Sequence, residues 1–219
     1  IKAECPEAWM AEKIEDQGNK QAEWRSDPSQ SGKTNCLGDV GVHMENLVSY
    51  VTGKRIKKVC AVLDAFVVGR ELDDNAVVMV EFEDGVKGVY WLSYIAIGHG
   101  NGMRMEIYGS KGSVIWIQEN PNELVFTQLN EPSRILKRGA GYLSGLQKQN
   151  TMLPEGHPEG YYEALANIYR NFLDYLTEKK DPVYDGSCRY PTLDDGVNSL
   201  LFVEKSLESA ENHSVWVNL

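Results

Sequence analysis

At 219 residues the chain is long enough for one large domain or two small ones, with a sizeable core in either case. The composition is 42% hydrophobic and 25% charged. Nothing in it approaches the roughly 18 to 20 consecutive apolar residues of a membrane-spanning helix. A net charge of −10 argues against a nucleic-acid partner, because phosphate binding needs clustered Lys and Arg.

The chain opens on Ile1 without an initiator Met, and a fragment, a processed chain or a single domain is expected. Over residues 1–23, Trp9, Met10 and Ile14 among charges predict a lead-in helix and linker, ahead of a domain covering 24–219. Trp24-Arg-Ser-Asp-Pro28 begins a loop that runs to about Asn35. From Cys36 to Thr52 the apolar residues Leu37, Val40, Met44, Leu47, Val48 and Val51 fall on one arc about 100° wide. That pattern predicts an amphipathic helix, with Gly53 as its terminator.

The period then changes. Residues 56–66 and 76–82 read as strands, and Asp84-Gly85 signals a hairpin returning through 86–97. The basic cluster Lys54, Arg55, Lys57 and Lys58 reads as the polar surround of a helix end and strand start. Residues 103–108 and 113–118 flank Gly109-Ser-Lys-Gly112 as another hairpin, and 123–129 is a further strand. Helical spacing resumes over 160–179, through Tyr161, Leu165, Ile168, Phe172 and Leu176. A last helix is expected over 192–209, with Thr192 as N-cap and Asp194 and Asp195 in its first turn, before a short strand at 215–219. Helix, many strands, then helices predicts an α+β fold: one large, mostly antiparallel sheet with helices on one face.

Four cysteines (Cys5, Cys36, Cys60, Cys188) lie far apart with no Cys-x-x-Cys pair. They form neither a zinc spacing nor a disulfide framework, so a cytoplasmic location is expected. No His-Glu-x-x-His pattern is present, and no metal is expected.

On the wheel of the 36–52 helix, Asp39, His43, Asn46 and Tyr50 form a second stripe away from the apolar arc. The i, i+4 spacing places the Asp39 carboxylate beside the His43 ring, where it favours imidazolium and fixes the ring's orientation. Spacing alone leaves three readings open: a solvated face, an acid/base pair or a metal ligand. Gly38 and Gly41 each cost about 1 kcal/mol in a helix and suggest close approach of another backbone or a ligand. Dinucleotide fingerprints are absent. Gly98-His-Gly-Asn-Gly102 has glycine at every second position and leads into a strand, and residues 32–38 lack the Gly-Lys-Ser/Thr of a phosphate loop.

The ordered set Trp24-Arg-x-Asp-Pro28, Gly38-Asp-Val-Gly-Val-His43 and Tyr50-Val-Thr-Gly53 resembles the C-terminal domain of the glucose-fructose oxidoreductase, inositol dehydrogenase and rhizopine-catabolism (Gfo/Idh/MocA) family. Arg70-Glu-Leu-Asp-Asp74, Tyr108-Gly-Ser-Lys-Gly112, His157-Pro-Glu-Gly-Tyr161 and Ala166-Asn-Ile-Tyr169 extend it in the same order. The resemblance implies a fold like the C-terminal domain of glyceraldehyde-3-phosphate dehydrogenase, with the Rossmann domain absent from this chain. It implies NAD or NADP, bound mainly by that other domain, and a sugar or cyclitol substrate. Asp39 and His43 match the family's catalytic Asp-x-x-x-His. The family's lysine, in Glu-Lys-Pro, has no match here, since Lys13 in Ala-Glu-Lys-Ile is not a substitute; this chain alone is therefore expected to be inactive.

By the same resemblance Arg25 is a candidate substrate or cofactor contact, with a structural ion pair to Asp27 or a helix end as the alternative. His157, ahead of a helix N-terminus, is a second candidate, against a loop-fixing hydrogen bond, and His99 and Asn101 are further ones from their place in a glycine-rich turn after a strand. Trp91 and Tyr94 are expected in the sheet core or a subunit interface, and Cys36 as a packed thiol. The open sheet face implies a homodimer or homotetramer. The rival reading is a sugar-binding or assembly module of the same fold without catalysis.

Overall fold

The computed structural model describes residues 1–143, 145–178 and 190–219; Lys179, the expected end of one helix, and Cys188 lie outside them. The chain does not open on a helix. Residues Lys2–Pro6 form strand β1, with Ala3 and Cys5 buried on one side. Trp9 and Met10 sit in a turn whose Met10 N–H donates to the Tyr94 carbonyl at 3.1 Å, and Ile14–Gln17 is a single 3-10 turn. The i, i+4 spacing of Met10 and Ile14 mimicked a helix, but both pack on the core individually. Helix α1, Lys20–Ser26, starts on an Asn19 cap and carries Trp24 and Arg25, where a loop was expected. A one-turn helix α2, Pro28–Ser31, follows on an Asp27 cap.

Helix α3 spans Cys36–Thr52 and stops where Gly53 adopts φ 65° and returns its N–H to the Ser49 carbonyl. The left-handed backbone there suits glycine. Leu37, Val40, Met44 and Val48 bury the expected stripe, whereas Val51 at its edge is exposed. Strands β2 (Ile56–Asp64), β3 (Asn75–Phe82) and β4 (Lys87–Ser93) form an antiparallel meander. Strand β4 ends at Ser93 rather than continuing to Ile97, because Tyr94 and Ala96 turn their N–H groups to the Asp74 and Glu7 carbonyls. Strands β5 (Arg104–Gly109), β6 (Gly112–Ile117), β7 (Glu123–Gln128) and β8 (Arg134–Lys137) make a second meander, of which β8 was not anticipated. A single turn, α4 (Leu146–Gln149), precedes helix α5 (Tyr161–Glu178). Helix α6 (Leu193–Glu211) opens on a reciprocal Thr192–Asp195 capping box, and β9 (Val217–Asn218) closes the described chain.

The described strands form one nine-stranded sheet in the order β8-β7-β6-β5-β1-β4-β3-β2-β9. Strand β1 bridges the two meanders, parallel to β4 and antiparallel to β5, and is the one strand that makes the sheet mixed. Helices α3 and α6 pack on each other and on the β1 to β4 half. Ala76, Val78, Val80, Phe82, Tyr90 and Leu92 fill the space beneath them. Gly41 lets α3 approach the sheet: a Cβ there would stand 3.1 Å from Leu92 and 3.4 Å from Phe202. At Gly38 the close neighbour is the Thr34 methyl, 2.9 Å from a built Cβ. Both small residues thus accommodate side chains, not the second backbone or ligand that the sequence suggested.

On the other sheet face, paired residues line up in two rows. One runs Cys60, Met79, Val89, Lys2, Glu106, Ile115, Val125, Ile135. The second runs Val62, Val77, Trp91, Glu4, Arg104, Ile117. No described helix is long and apolar enough to cross a membrane.

Candidate active site

The N-terminus of α3 is fixed by a side chain from elsewhere in the chain. Asp73, at the end of the loop between β2 and β3, accepts hydrogen bonds from Thr34 Oγ1 (2.6 Å), Asn35 N (2.8 Å) and Leu37 N (2.7 Å). The Asp73 carbonyl takes the Cys36 N–H at 3.1 Å. The unpaired first-turn donors of the helix are satisfied, and the first turn is held against the core. Burial pushes the Asp73 carboxyl up, while these bonds pull the other way. Beside it, Asp74 accepts from the Phe66 and Val67 N–H groups and pairs with the fully buried Arg70, which also holds Glu15 and the Met10 carbonyl.

One turn into α3, Asp39 projects to a cavity of about 490 Å³, within the usual range for small-molecule sites. Its Oδ2 accepts two hydrogen bonds, from Arg25 Nε at 2.6 Å and from the Tyr94 hydroxyl at 2.5 Å. Its Oδ1 has no hydrogen-bond partner among the described residues. His43 lines the same cavity with an exposed ring, and no hydrogen bond joins it to Asp39. The helical spacing brings the two side chains to one cavity, but the carboxylate is oriented by Arg25 and Tyr94. Arg25 makes no ion pair with Asp27, which caps α2 instead. The Arg25 guanidinium also donates to the Gln21 side chain and carbonyl, and its Cζ stands 4.2 Å from the Trp24 ring centre and 5.7 Å from that of Trp9. Tyr94 is 1% exposed and packs edge-on to Trp9, so its ring is core while its hydroxyl serves the site. Burial, then the Asp39 bond and charge, hold that hydroxyl protonated as a donor.

Two further groups escaped the sequence reading. Glu7, just past β1, lines the cavity; burial and the Asp39 charge push its carboxyl up, and Arg25 pulls it down. Cys5 lies beside it, its thiol pushed up to about 12 by burial and the two carboxylates. Cys36 is likewise pushed well up by burial, so both behave as packed thiols and not nucleophiles. Reading Lys2–Pro6 as a strand is the signal that would have brought Glu7 to the sheet end beside Asp39.

Asn101 reaches the cavity from the glycine-rich turn, braced by Gln118 Nε2 on its Oδ1 at 2.7 Å. Gly102 is pressed onto Pro6, where a Cβ would fall 2.8 Å from the ring and 2.9 Å from the carbonyl. His99 lies in the same exposed turn but outside the cavity lining. His157 is not brought there either. It sits in an exposed loop at the β7–β8 edge, where Arg138 donates to its carbonyl and to Glu159. Lys13 pairs with Asp16 and is also outside the cavity. Among the described residues, no group of three or more His, Cys, Asp or Glu is placed to hold a metal ion.

Residues 2–115 match the model of the GFO/IDH/MocA C-terminal domain. The chain belongs to this family. The match starts at β1, and so takes in the strand that the sequence alone presented as a lead-in. An uncharacterized oxidoreductase of Bacillus subtilis, YfiI, is 35% identical over 209 residues, covering 92% of this chain and 53% of that protein. A solved inositol dehydrogenase homolog from Azotobacter vinelandii, complexed with NAD+, superposes with a TM-score of 0.91 at 33% identity, covering 100% of this chain and 57% of that one. The same organism's homolog with NADH and myo-inositol gives a TM-score of 0.86 at 32% identity, covering 100% and 56%. The chain therefore spans just over half the length of these relatives, and it is an oxidoreductase-family domain of α+β architecture.

Proposed function

We propose that this domain forms the substrate side of an NAD(P)-dependent oxidoreductase acting on a CH–OH group of a sugar, sugar derivative or cyclitol, with Asp39 and His43 as its acid/base pair. The observation that carries the reading is the convergence of both side chains on one open cavity ringed by hydrogen-bonding groups. The exposed His43 imidazole takes the hydroxyl proton as the carbon is oxidised and returns it in the reverse direction. Asp39 is fixed through Oδ2 by Arg25 and Tyr94, which leaves Oδ1 to accept a hydrogen bond from the His43 ring or a substrate hydroxyl. Glu7, Gln21 and Asn101 line the same space and offer partners to the remaining hydroxyls of a polyol.

The described residues do not provide a cradle for the dinucleotide phosphates: the glycine-rich turn at 98–102 leads into strand β5 rather than a helix N-terminus. Nicotinamide binding is therefore assigned mainly to the part of the protein outside this chain, and the domain alone is expected to be inactive. The relatives solved with NAD+, and with NADH and myo-inositol, support a nicotinamide cofactor and a polyol substrate. We also assign self-association, as a dimer or tetramer, to the sheet face opposite α3 and α6. The test is coenzyme-linked oxidation of a panel of sugars and inositols by the full-length protein. Turnover of a neutral polyol is expected; binding of a sugar with no turnover of any panel member would contradict the reading.

A further inference from the structure

Two carboxylates line the cavity, Asp39 and Glu7, and only the first is countered by a cation. Glu7 enters directly after β1 on a backbone clamped at both ends. Its N–H donates to the Ser93 carbonyl at 2.7 Å, and its own carbonyl accepts the Ala96 N–H at 2.7 Å. Its side chain receives the Cys5 thiol on Oε1 at 4.0 Å and pairs with no cation among the described residues. Among the described residues that line the cavity, the one Arg or Lys is Arg25, and Asp39 takes its Nε at 2.6 Å. Its Nη1 donates to the Gln21 carbonyl at 3.2 Å and to the Gln21 side chain at 2.8 Å. One guanidinium against two carboxylates leaves this wall of the cavity with a single negative charge in excess. Neighbouring groups register that excess. Burial is the first cause of the upward shifts at Glu7, Cys5 and Tyr94, and the Asp39 charge adds to it at all three. At Glu7 the rise is opposed by Arg25 and the Trp9 side chain, which favour the ionised form.

We infer that Glu7 is a specificity-determining residue, which accepts the hydroxyls of an uncharged polyol and turns away polyols that carry a carboxylate or phosphate. The inference rests on the proposed reaction and names the charge class of its substrate. An ionised carboxyl is an acceptor only, so Glu7 takes hydrogen bonds from hydroxyls and offers no donor to an anion. Its uncountered charge repels one instead, and a repulsive element of this kind is a direct route to specificity. Bidentate capture of a carboxylate or phosphate needs a guanidinium fork with its donors free. Here Asp39 and Gln21 occupy Nε and Nη1 of Arg25, and Asp39 already matches its charge. To pair with Arg25, an anionic substrate would have to displace Asp39 and undo the arrangement that orients it. Asp39 cannot set the rule itself, because Arg25 and the Tyr94 hydroxyl both address its Oδ2. Glu7 stands apart from that network on a fixed backbone, and its carboxylate is left for the ligand.

The experiment compares two pairs of compounds on the full-length protein. Glucuronamide and glucuronate differ in charge and hardly in shape; inositol and inositol monophosphate supply a second pair, so that either skeleton decides the matter. Each compound is measured as a substrate in the coenzyme-linked assay and as a ligand by calorimetry. Wild type is expected to favour the uncharged member by about tenfold or more. Glu7→Gln keeps the size and the hydrogen-bonding reach of the side chain and removes only its charge. In that variant the ratio of uncharged to anionic member should fall about tenfold. A circular-dichroism melt checks its fold. If the variant does not fold, ionic strength makes the same test on wild type, because added salt screens the repulsion and narrows the ratio. A wild type that takes the anion as well as its uncharged partner overturns the charge rule. A ratio that neither Glu7→Gln nor salt moves overturns the role of Glu7. Uncharged compounds that neither bind nor react overturn the proposed reaction instead, and the charge rule falls with it.

Discussion

Strands β1 to β4 lie beneath α3 and α6 and bury most of one face, whereas every residue of β6 is only half-buried, on both faces. The two halves belong to one sheet and share the same period-2 pattern. What separates them is the helical cover, and the candidate site sits only on the covered side. There, α3 is fixed at its start by Asp73 and along its length by Leu92 and Phe202, so a carboxylate one turn in can be held by two donors from other elements. The uncovered half offers rows of apolar side chains, which suits a surface that meets another surface.

Three substitutions probe this contrast. Phe82→Ala, beneath the helices and fully buried, is expected to destabilise the protomer by about 3 to 5 kcal/mol through lost burial and the cavity left behind. A denaturant titration measures it, and a loss under about 1 kcal/mol would mean that the covered half is loosely packed. Tyr94→Phe keeps the ring on Trp9 and removes only the hydroxyl from Asp39. Stability should fall by about 1 to 2 kcal/mol, and kcat of the full-length protein about tenfold with KM little changed. An unchanged kcat would show that the Asp39 orientation does not depend on this bond. Ile135→Lys, on the uncovered half, should change unfolding stability of the protomer by less than about 0.5 kcal/mol while lowering the assembled mass in light scattering. A large stability loss without any change in mass would reverse the contrast between the halves.

Much of the covered half was legible in the sequence because its signals are local. The apolar arc and Gly53 gave α3 its bounds, alternation gave β3, Asp84-Gly85 gave the hairpin, and Thr192 gave the start of α6. Strand β1 was not legible. Its alternation is only five residues long, it is flanked by charges, and its partners are Val89–Ser93 and Arg104–Glu106, far along the chain. The site divided in the same way. Asp39 and His43 share a helix face by spacing alone, but the groups that hold Asp39 come from 14 residues before it and 55 after it, and no periodicity links them. Asp73 was hidden for the same reason, since a helix cap supplied from a distant loop has no signature in the helix's own sequence. His157 carried motif resemblance and His99 only a place in a glycine-rich turn, and the fold leaves both outside the cavity.

The most direct test of the central claim sets wild-type full-length protein beside His43→Ala in coenzyme-linked oxidation of the best neutral polyol. The exposed ring contributes little packing, so the two proteins should melt alike. A general acid/base role predicts a fall in rate of about 10²- to 10⁴-fold. Equal rates would contradict that role and leave His43 as a solvated residue on a helix that serves the site only through Asp39.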